Sequence, residues 1–182
     1  TATTGCIAVR VVTVNPLPGA IAGSLTVCSG TTTTYTNTSM SGTWSSSNTT
    51  VGTINPVSGL FTAMTAGTTN IVYTSTAGCP TSEVVTVVPV PAVITGSASV
   101  CAGSTTTLAS TTTPGTWVSS NLSVATVDVA TGVVTGVNAG FSTITYTSAG
   151  CIATRTVTVL QTPAAIGGLS TVCQGSSVSL SS

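Results

Sequence analysis

GFSTITYTSAGCIATRTVTV, residues 140–159, carries the architecture of the whole chain. On one side of a short Ala-Gly-Cys turn, Ile144 and Tyr146 alternate with threonines; on the other, Val157 and Val159 do the same. A period of two with β-branched residues at most positions marks half-buried strands. Two such runs joined by a tight glycine turn form a hairpin. Its apolar face needs a second layer to cover it.

The residues before the hairpin supply that layer. After Pro89 and Pro91, AVITGSASVCAGS (92–104) reads as an extended first strand ending in a glycine turn. TTTLAS (105–110) is a β-rich stretch anchored by Leu108, and PGTWVSS (114–120) sets Trp117 in a strand opened by a Pro-Gly turn. VATV (124–127) is a further short strand, and DVATG (128–132) a turn in which Asp128 can bond its own backbone. That makes about seven short strands and no helical period, which is a compact all-β sandwich. Trp117, Tyr146, Ile144, Leu108 and the closing valines are its expected core.

The same text occurs earlier in the chain. TWVSSN (116–121) repeats TWSSSN (43–48), Tyr146 repeats Tyr73, and Ile144 repeats Ile71. Cys28, Cys101 and Cys173 lie 73 and 72 residues apart, as do Cys6, Cys79 and Cys151. The repeat predicts two whole modules, 15–87 and 88–159, with the end of one at 1–14 and the beginning of another at 160–182. Trp44 and Tyr73 then fill the core of the first module as Trp117 and Tyr146 fill the second. The 182 residues, starting in mid-module without Met, read as a stretch of a longer array. Such arrays are usually structural, adhesive or spacer proteins.

Charge narrows the function. Arg10, Glu83, Asp128 and Arg155 are the only ionised side chains, and there is no Lys or His. A nucleic-acid contact needs a cationic stripe to displace counterions, and a polybasic membrane contact needs the same. Calcium-dependent adhesion modules need clustered carboxylates, and two acids do not supply them. No apolar run approaches the roughly 20 residues of a membrane helix, so no insertion is expected. Enzymatic chemistry lacks a histidine base, a carboxylate pair, a lysine and a phosphate-cradling glycine loop. The expectation is therefore no enzyme, no catalytic residue, no cofactor and no metal. Near-zero net charge removes colloidal repulsion, so self-association is expected, unless the threonine-rich surface is simply that of a secreted protein. Six cysteines at fixed places without histidine or CxxC spacing suit disulfides in an oxidising compartment better than zinc.

The order VxxGxxxxL, TWxSSN, VATV, TGVVTGVNAG, STITY and TVTV resembles the bacterial immunoglobulin-like domain of group 2. Its first copy departs where VATV becomes VGTI and VVTGV becomes LFTAM. That domain recurs in intimin- and invasin-like adhesins and in very large secreted or cell-surface proteins. The added VCxG and GC pair is similar to the variant found in tandem arrays of Bacteroidetes surface proteins. The resemblance implies an extracellular or cell-surface chain of Ig-like β-sandwiches that acts as spacer, stalk or adhesin, and it implies no catalytic or ligand residue.

In that topology the first turn, with Cys28 or Cys101, and the last hairpin, with Cys79 or Cys151, lie at opposite ends of a module. The resemblance thus favours Cys28 with Cys151 across the joint, stiffening the array against bending and pulling, each bridge contributing about 2–4 kcal/mol against unfolding. Cys6, Cys79, Cys101 and Cys173 then look to modules beyond. The alternative is in-module pairing, Cys28 with Cys79 and Cys101 with Cys151. Arg10, Glu83 and Arg155 each follow the hairpin cysteine by four residues and read as solvated rim charges, or as ion-pair partners of a neighbouring chain. Asn37, Asn48 and Asn121 stand in N-x-S/T sequons and are glycosylation candidates, with O-linked glycans on exposed threonines the stronger expectation. The functional expectation is a structural protein, an array forming or decorating a filament, fibre or stalk whose partner is itself. The rival is an adhesin that binds host or surface glycans, with these repeats as its spacer.

Overall fold

The computed structural model describes residues 9–39 and 41–181, so Cys6 lies outside the described residues. The chain divides into two compact units, one running to Pro89 and one starting at Val90. Every regular element among the described residues is a strand.

The first unit contains β1 (Ile21–Ala22), β2 (Thr26–Cys28), β3 (Thr32–Thr34), β4 (Thr36–Asn37), β5 (Gly42–Ser46), β6 (Gly52–Ile54), β7 (Leu60–Ala63), β8 (Gly67–Ser75) and β9 (Pro80–Val88). A four-stranded sheet, β2-β9-β8-β5, faces a three-stranded one, β3-β7-β6, and β1 pairs with β4. The second unit contains β10 (Ser99–Cys101), β11 (Thr105–Thr107), β12 (Thr116–Ser119), β13 (Ala125–Val127), β14 (Val133–Gly136), β15 (Gly140–Ser148) and β16 (Cys151–Leu160). Its sheets are β10-β16-β15-β12 and β11-β14-β13, the same order in the same places. A single bridge, Thr95 to Ala109, stands where the first unit has its β1–β4 pair. Each unit is an Ig-like β-sandwich.

Register follows from alternation. β15 and β16 pair with Ile144 opposite Arg155, Tyr146 opposite Ala153 and Ser142 opposite Val157. One residue further on, Thr143 meets Thr156 and Thr145 meets Thr154 on the outer face. A slip of one residue would turn every valine to solvent, so burial fixes the pairing. The first strand of each module pairs with the last in parallel: Val27 opposite Val87, and Val100 opposite Val159.

Trp117 packs on Tyr146 with ring centres 4.5 Å apart, and Trp44 on Tyr73 at 4.8 Å. All four rings are buried, with Ile71, Ile144, Leu108 and the valines at 85, 87, 157 and 159. The two tyrosine hydroxyls of these pairs each donate to a backbone carbonyl 34 residues upstream, Tyr73 to Ser39 (2.6 Å) and Tyr146 to Thr112 (2.5 Å). Ile21 and Ile94 seal the first-strand end of the two cores.

The first core is filled differently in one region. Tyr35 and Phe61 meet edge to face at 5.9 Å where the second unit has Leu108 and Val134. Space for the larger rings comes from Gly52, where any side chain would collide with Phe61; the second unit has Ala125 there. The departures from the repeat are thus a compensated pair. Outside the sandwiches, Val12, Val14, Ile166, Val172 and Leu180 are exposed, although they hold the repeat positions that each unit buries.

Candidate linkage sites at the module ends

Each unit carries one cysteine at each end of its longest strand pair. Cys28 ends β2 opposite Val88, the last residue of β9, while Cys79 immediately precedes the first residue of β9. At ~3.3 Å per residue the two lie about 30 Å apart. Cys101 and Cys151 are separated in the same way by the length of β16. A disulfide requires Cα atoms within about 7 Å. The in-module alternative, Cys28 with Cys79 and Cys101 with Cys151, is therefore corrected by this register. Cys28 and Cys151 are both disulfide-bonded, whereas Cys79, Cys101 and Cys173 are free thiols.

The hairpins differ by one residue, and this is where the repeat shortens from 73 to 72. In the second unit Ser148 pairs directly with Cys151 across Ala149 and Gly150, both at positive φ (50° and 81°). That is the two-residue turn whose twist suits a hairpin. Cys151 is thereby part of the ladder and only 1% exposed. In the first unit Thr76 is extra, the ladder stops at Thr74 opposite Pro80, and Cys79 sits in the loop, partly exposed.

Arg155 is not a solvated rim charge. Its guanidinium turns toward the first strand and donates to the carbonyls of Ile94 (Nη1, 2.6 Å) and Gly96 (Nη2, 2.9 Å). Its Nε is buried without a partner. The clamp holds the segment that places Ile94 in the core. Glu83 occupies the equivalent place opposite Ile71 in the first unit, and a carboxylate has no proton to give those carbonyls. There the first strand is held by Asn37, whose amide nitrogen donates to Gly19 O (2.5 Å) and Ala20 O (3.3 Å). The sequence reading of Asn37 as a sequon missed this use.

The SSN phrase proves to be a buried hydroxyl cluster. Ser119 Oγ lies 2.8 Å from Ser142 Oγ and donates to Ala125 O (2.6 Å), and Ser142 Oγ accepts from Asn121 N–H (3.1 Å). Ser46, Thr69 and Asn48 repeat it in the first unit. Both Asn side chains then accept from the hydroxyl two residues on, Asn48 from Thr50 (2.7 Å) and Asn121 from Ser123 (2.6 Å). The N-x-S/T spacing has a local structural role at both positions. A second reason for spacing appears at Asp128, whose Oδ1 accepts from Thr131 Oγ1, Thr131 N–H and Ala130 N–H. The Thr131 hydroxyl, then the two amides, hold this carboxyl below its ordinary range.

Grooves occur at equivalent places beside the two aromatic pairs, about 400 Å³ by Trp117 and Tyr146 and about 350 Å³ by Trp44 and Tyr73. Because the rings themselves are buried, they wall these grooves rather than offer a stacking platform. Among the described residues no group of three or more His, Cys, Asp or Glu is placed to hold a metal ion. Among the same residues no helix is long and apolar enough to cross a membrane.

Comparison with known proteins adds a family match over part of the chain and a likeness of fold. Residues 82–159 match the bacterial Ig-like domain (group 2). No curated protein matches the chain. Among solved structures it is similar to a C-terminal 282-residue fragment of intimin, crystallised with the intimin-binding domain of the translocated intimin receptor. The TM-score is 0.53 at 18% identity, over 79% of this chain and 64% of that fragment. Domains 4 and 5 of the S-layer protein SbsC align with a TM-score of 0.40 and 19% identity, over 80% of this chain and 100% of theirs. At 18% identity the likeness to the intimin fragment is one of fold.

Proposed function

We propose, from the match of residues 82–159 to the bacterial Ig-like domain of group 2, that this chain is part of an extracellular tandem array that forms or decorates a cell-surface filament or stalk. The observation that carries this reading is the cysteine placed at each end of each repeated unit, one at the strand end and one at the hairpin. In this reading Cys28 and Cys151 are partners, and the bridge limits bending where one module follows another. The Pro-containing stretches NPLP (15–18) and VPVP (88–91) restrict the backbone further, because proline fixes φ. The role is mechanical and not catalytic. The near absence of charge favours association with copies of itself.

Non-reducing peptide mapping tests the bridge: recovery of Cys28 and Cys151 in one crosslinked peptide supports it, and their recovery in separate peptides overturns it. Electron microscopy of native material tests the filament, with an axial repeat of about 40 Å expected from strand length. The second reading is an adhesin with these repeats as its spacer. The intimin fragment, solved with a receptor domain, is the observation that favours it. Isolated flexible tails ending in a different head domain would select that reading.

A further inference from the structure

Each core leaves one strong donor unused, the indole N–H of its tryptophan. Trp117 is 4% exposed and Trp44 7%. A tryptophan buried to this degree ordinarily finds an acceptor for its N–H. Among the described residues neither indole has one. Nor are the nitrogens sealed in, since Arg155 Nε is the one side-chain nitrogen or oxygen among the described residues that is both enclosed and unpartnered. The indole N–H groups therefore open outward, and Trp117 and Trp44 each line the groove of their own unit.

Glycines keep the polar tips of both ring pairs uncovered. A side chain at Gly132 would stand 3.0 Å from the Trp117 nitrogen, and one at Gly59 3.1 Å from the Trp44 nitrogen. A side chain at Gly115 or Gly42 would collide with the hydroxyl end of Tyr146 or Tyr73. Neither Gly115 nor Gly42 has a positive φ, so the backbone does not demand glycine there. Each of these tyrosines donates its proton to a backbone carbonyl, which leaves the phenolic oxygen as an acceptor. Both grooves thus offer a nitrogen that can only donate and an oxygen free to accept. The rim adds hydroxyls, those of Thr107, Thr113 and Thr131 in the second unit and of Thr36, Ser41 and Ser58 in the first. No ionised side chain lines either groove. At about 400 and 350 Å³ both stand at the lower end of the range for small-ligand sites, about 300–1,000 Å³.

We propose that each groove is a binding site for a neutral sugar residue, anchored by the indole N–H. The ligand must accept from the indole and donate to the phenolic oxygen, and a hydroxyl does both. A ring bearing several hydroxyls also reaches the threonine and serine hydroxyls of the rim. Its C–H faces suit the apolar part of the lining, Leu108 and Ala130 in the second unit and Val57 in the first. A charged ligand would lose hydration on entry and find no counter-charge. An extended peptide draws on a sheet edge or a row of pockets, and these grooves are compact depressions. Recognition rests on the ring edges and not on stacking, so each site is weak alone. Repetition of the site in successive modules gives avidity for a glycan that presents the same sugar many times. The site lies within one module, so it stands apart from how modules are joined and from the mechanical role.

The test is heteronuclear NMR on the 182-residue chain, whose two tryptophans give two indole N–H signals, assigned with Trp44→Phe. The probes are glucose, galactose, mannose and N-acetylglucosamine as free sugars, dextran and mannan as neutral polymers, and glycerol and poly-L-proline as controls. The expected result is that a sugar or polymer moves both indole signals along a saturable curve, in the millimolar range for a free sugar. Ala130→Phe fills the second groove from an exposed turn and should abolish the Trp117 shift while leaving that of Trp44. Thr113→Val, on the exposed rim, should weaken binding at Trp117 several-fold and leave Trp44 unchanged. Saturation by a polymer alone supports the site and identifies a glycan chain as the source; saturation by free sugars alone supports it and identifies a soluble sugar. Trp117 shifts that persist in both variants, or shifts that rise linearly as they do with glycerol, overturn the proposal. Absence of any shift with every sugar and polymer also overturns it, and a shift with poly-L-proline alone does so in favour of a peptide site.

Discussion

Arg155→Met should detach the first strand of the second unit while leaving the first unit intact. The guanidinium makes two hydrogen bonds to the carbonyls of Ile94 and Gly96, at 2.6 and 2.9 Å. Bonds from a charged donor contribute about 1.5–3 kcal/mol each. Ordering the long side chain costs up to about 2 kcal/mol, and the buried unpartnered Nε adds a further cost that the substitution removes. Water can also reach the freed carbonyls, since Arg155 is only half-buried. The net loss is about 2 kcal/mol. With a urea slope near 1 kcal/mol per M for a unit of this size, the midpoint falls by about 2 M. Each unit contains one tryptophan, so a Trp44→Phe background leaves Trp117 fluorescence to report the second unit alone. Arg155→Lys should recover about half the loss, one donor being retained at shorter reach. Glu83→Gln in the first unit should stay within about 0.5 kcal/mol. A shift below about 0.5 M for Arg155→Met, or equal shifts in both units, would refute the clamp.

Burial pushes the Tyr35 hydroxyl up to about 12, against about 10 in the unfolded chain. The folded state then holds this proton more tightly, so its contribution is intact below pH 10 and is lost as pH rises toward 12. The loss should be about 2–3 kcal/mol, confined to the first unit and absent in Tyr35→Phe; urea midpoints against pH read it, with the Leu108-containing unit as internal reference. Gly52→Ala should cost about 1–3 kcal/mol by collision with Phe61, and Gly52→Ala with Phe61→Val, which recreates Ala125 and Val134, should recover most of it. A double-mutant cycle on thermal unfolding measures that coupling, and simple additivity would count against the compensation. Ser142→Ala removes the acceptor for Asn121 N–H and the partner of Ser119 Oγ, and should lower the second unit's stability by about 1–2 kcal/mol in denaturant titration.

What could be seen in the residues beforehand was whatever repeats locally. The alternation of Ile144, Tyr146, Val157 and Val159 identifies strands and faces because a strand's period lies within its own sequence. The separation of the two cysteines in one module was implied by the topology of the family the sequence resembles, and in-module pairing stayed open until the strand register was seen. Arg155 was misjudged because its partners, Ile94 and Gly96, lie about sixty residues away and are backbone carbonyls, which no side-chain pattern announces. The parity that aligned Arg155 with the inward valines was the available signal. Asn37 and Asn48 were read through their sequons, yet their amides bond the local backbone and a neighbouring hydroxyl. The substitutions in the first copy, Gly52 and Phe61, looked independently conservative; only the packed core shows that each requires the other.

The parallel pairing of first and last strands has a consequence for how a module yields under load. Tension on an array draws β2 toward the N-terminal end and β9 toward the C-terminal end, along the direction both strands share. The bonds between them, including Ser29 N–H to Val88 O (2.8 Å) and Thr86 N–H to Leu25 O (2.9 Å), lie across that direction. They are therefore sheared together, not peeled one at a time as in an antiparallel hairpin opened from its mouth. Each contributes only about 0.5–1.5 kcal/mol at equilibrium. Simultaneous rupture makes the module a brittle link with a high breaking force, even where its thermodynamic stability is modest.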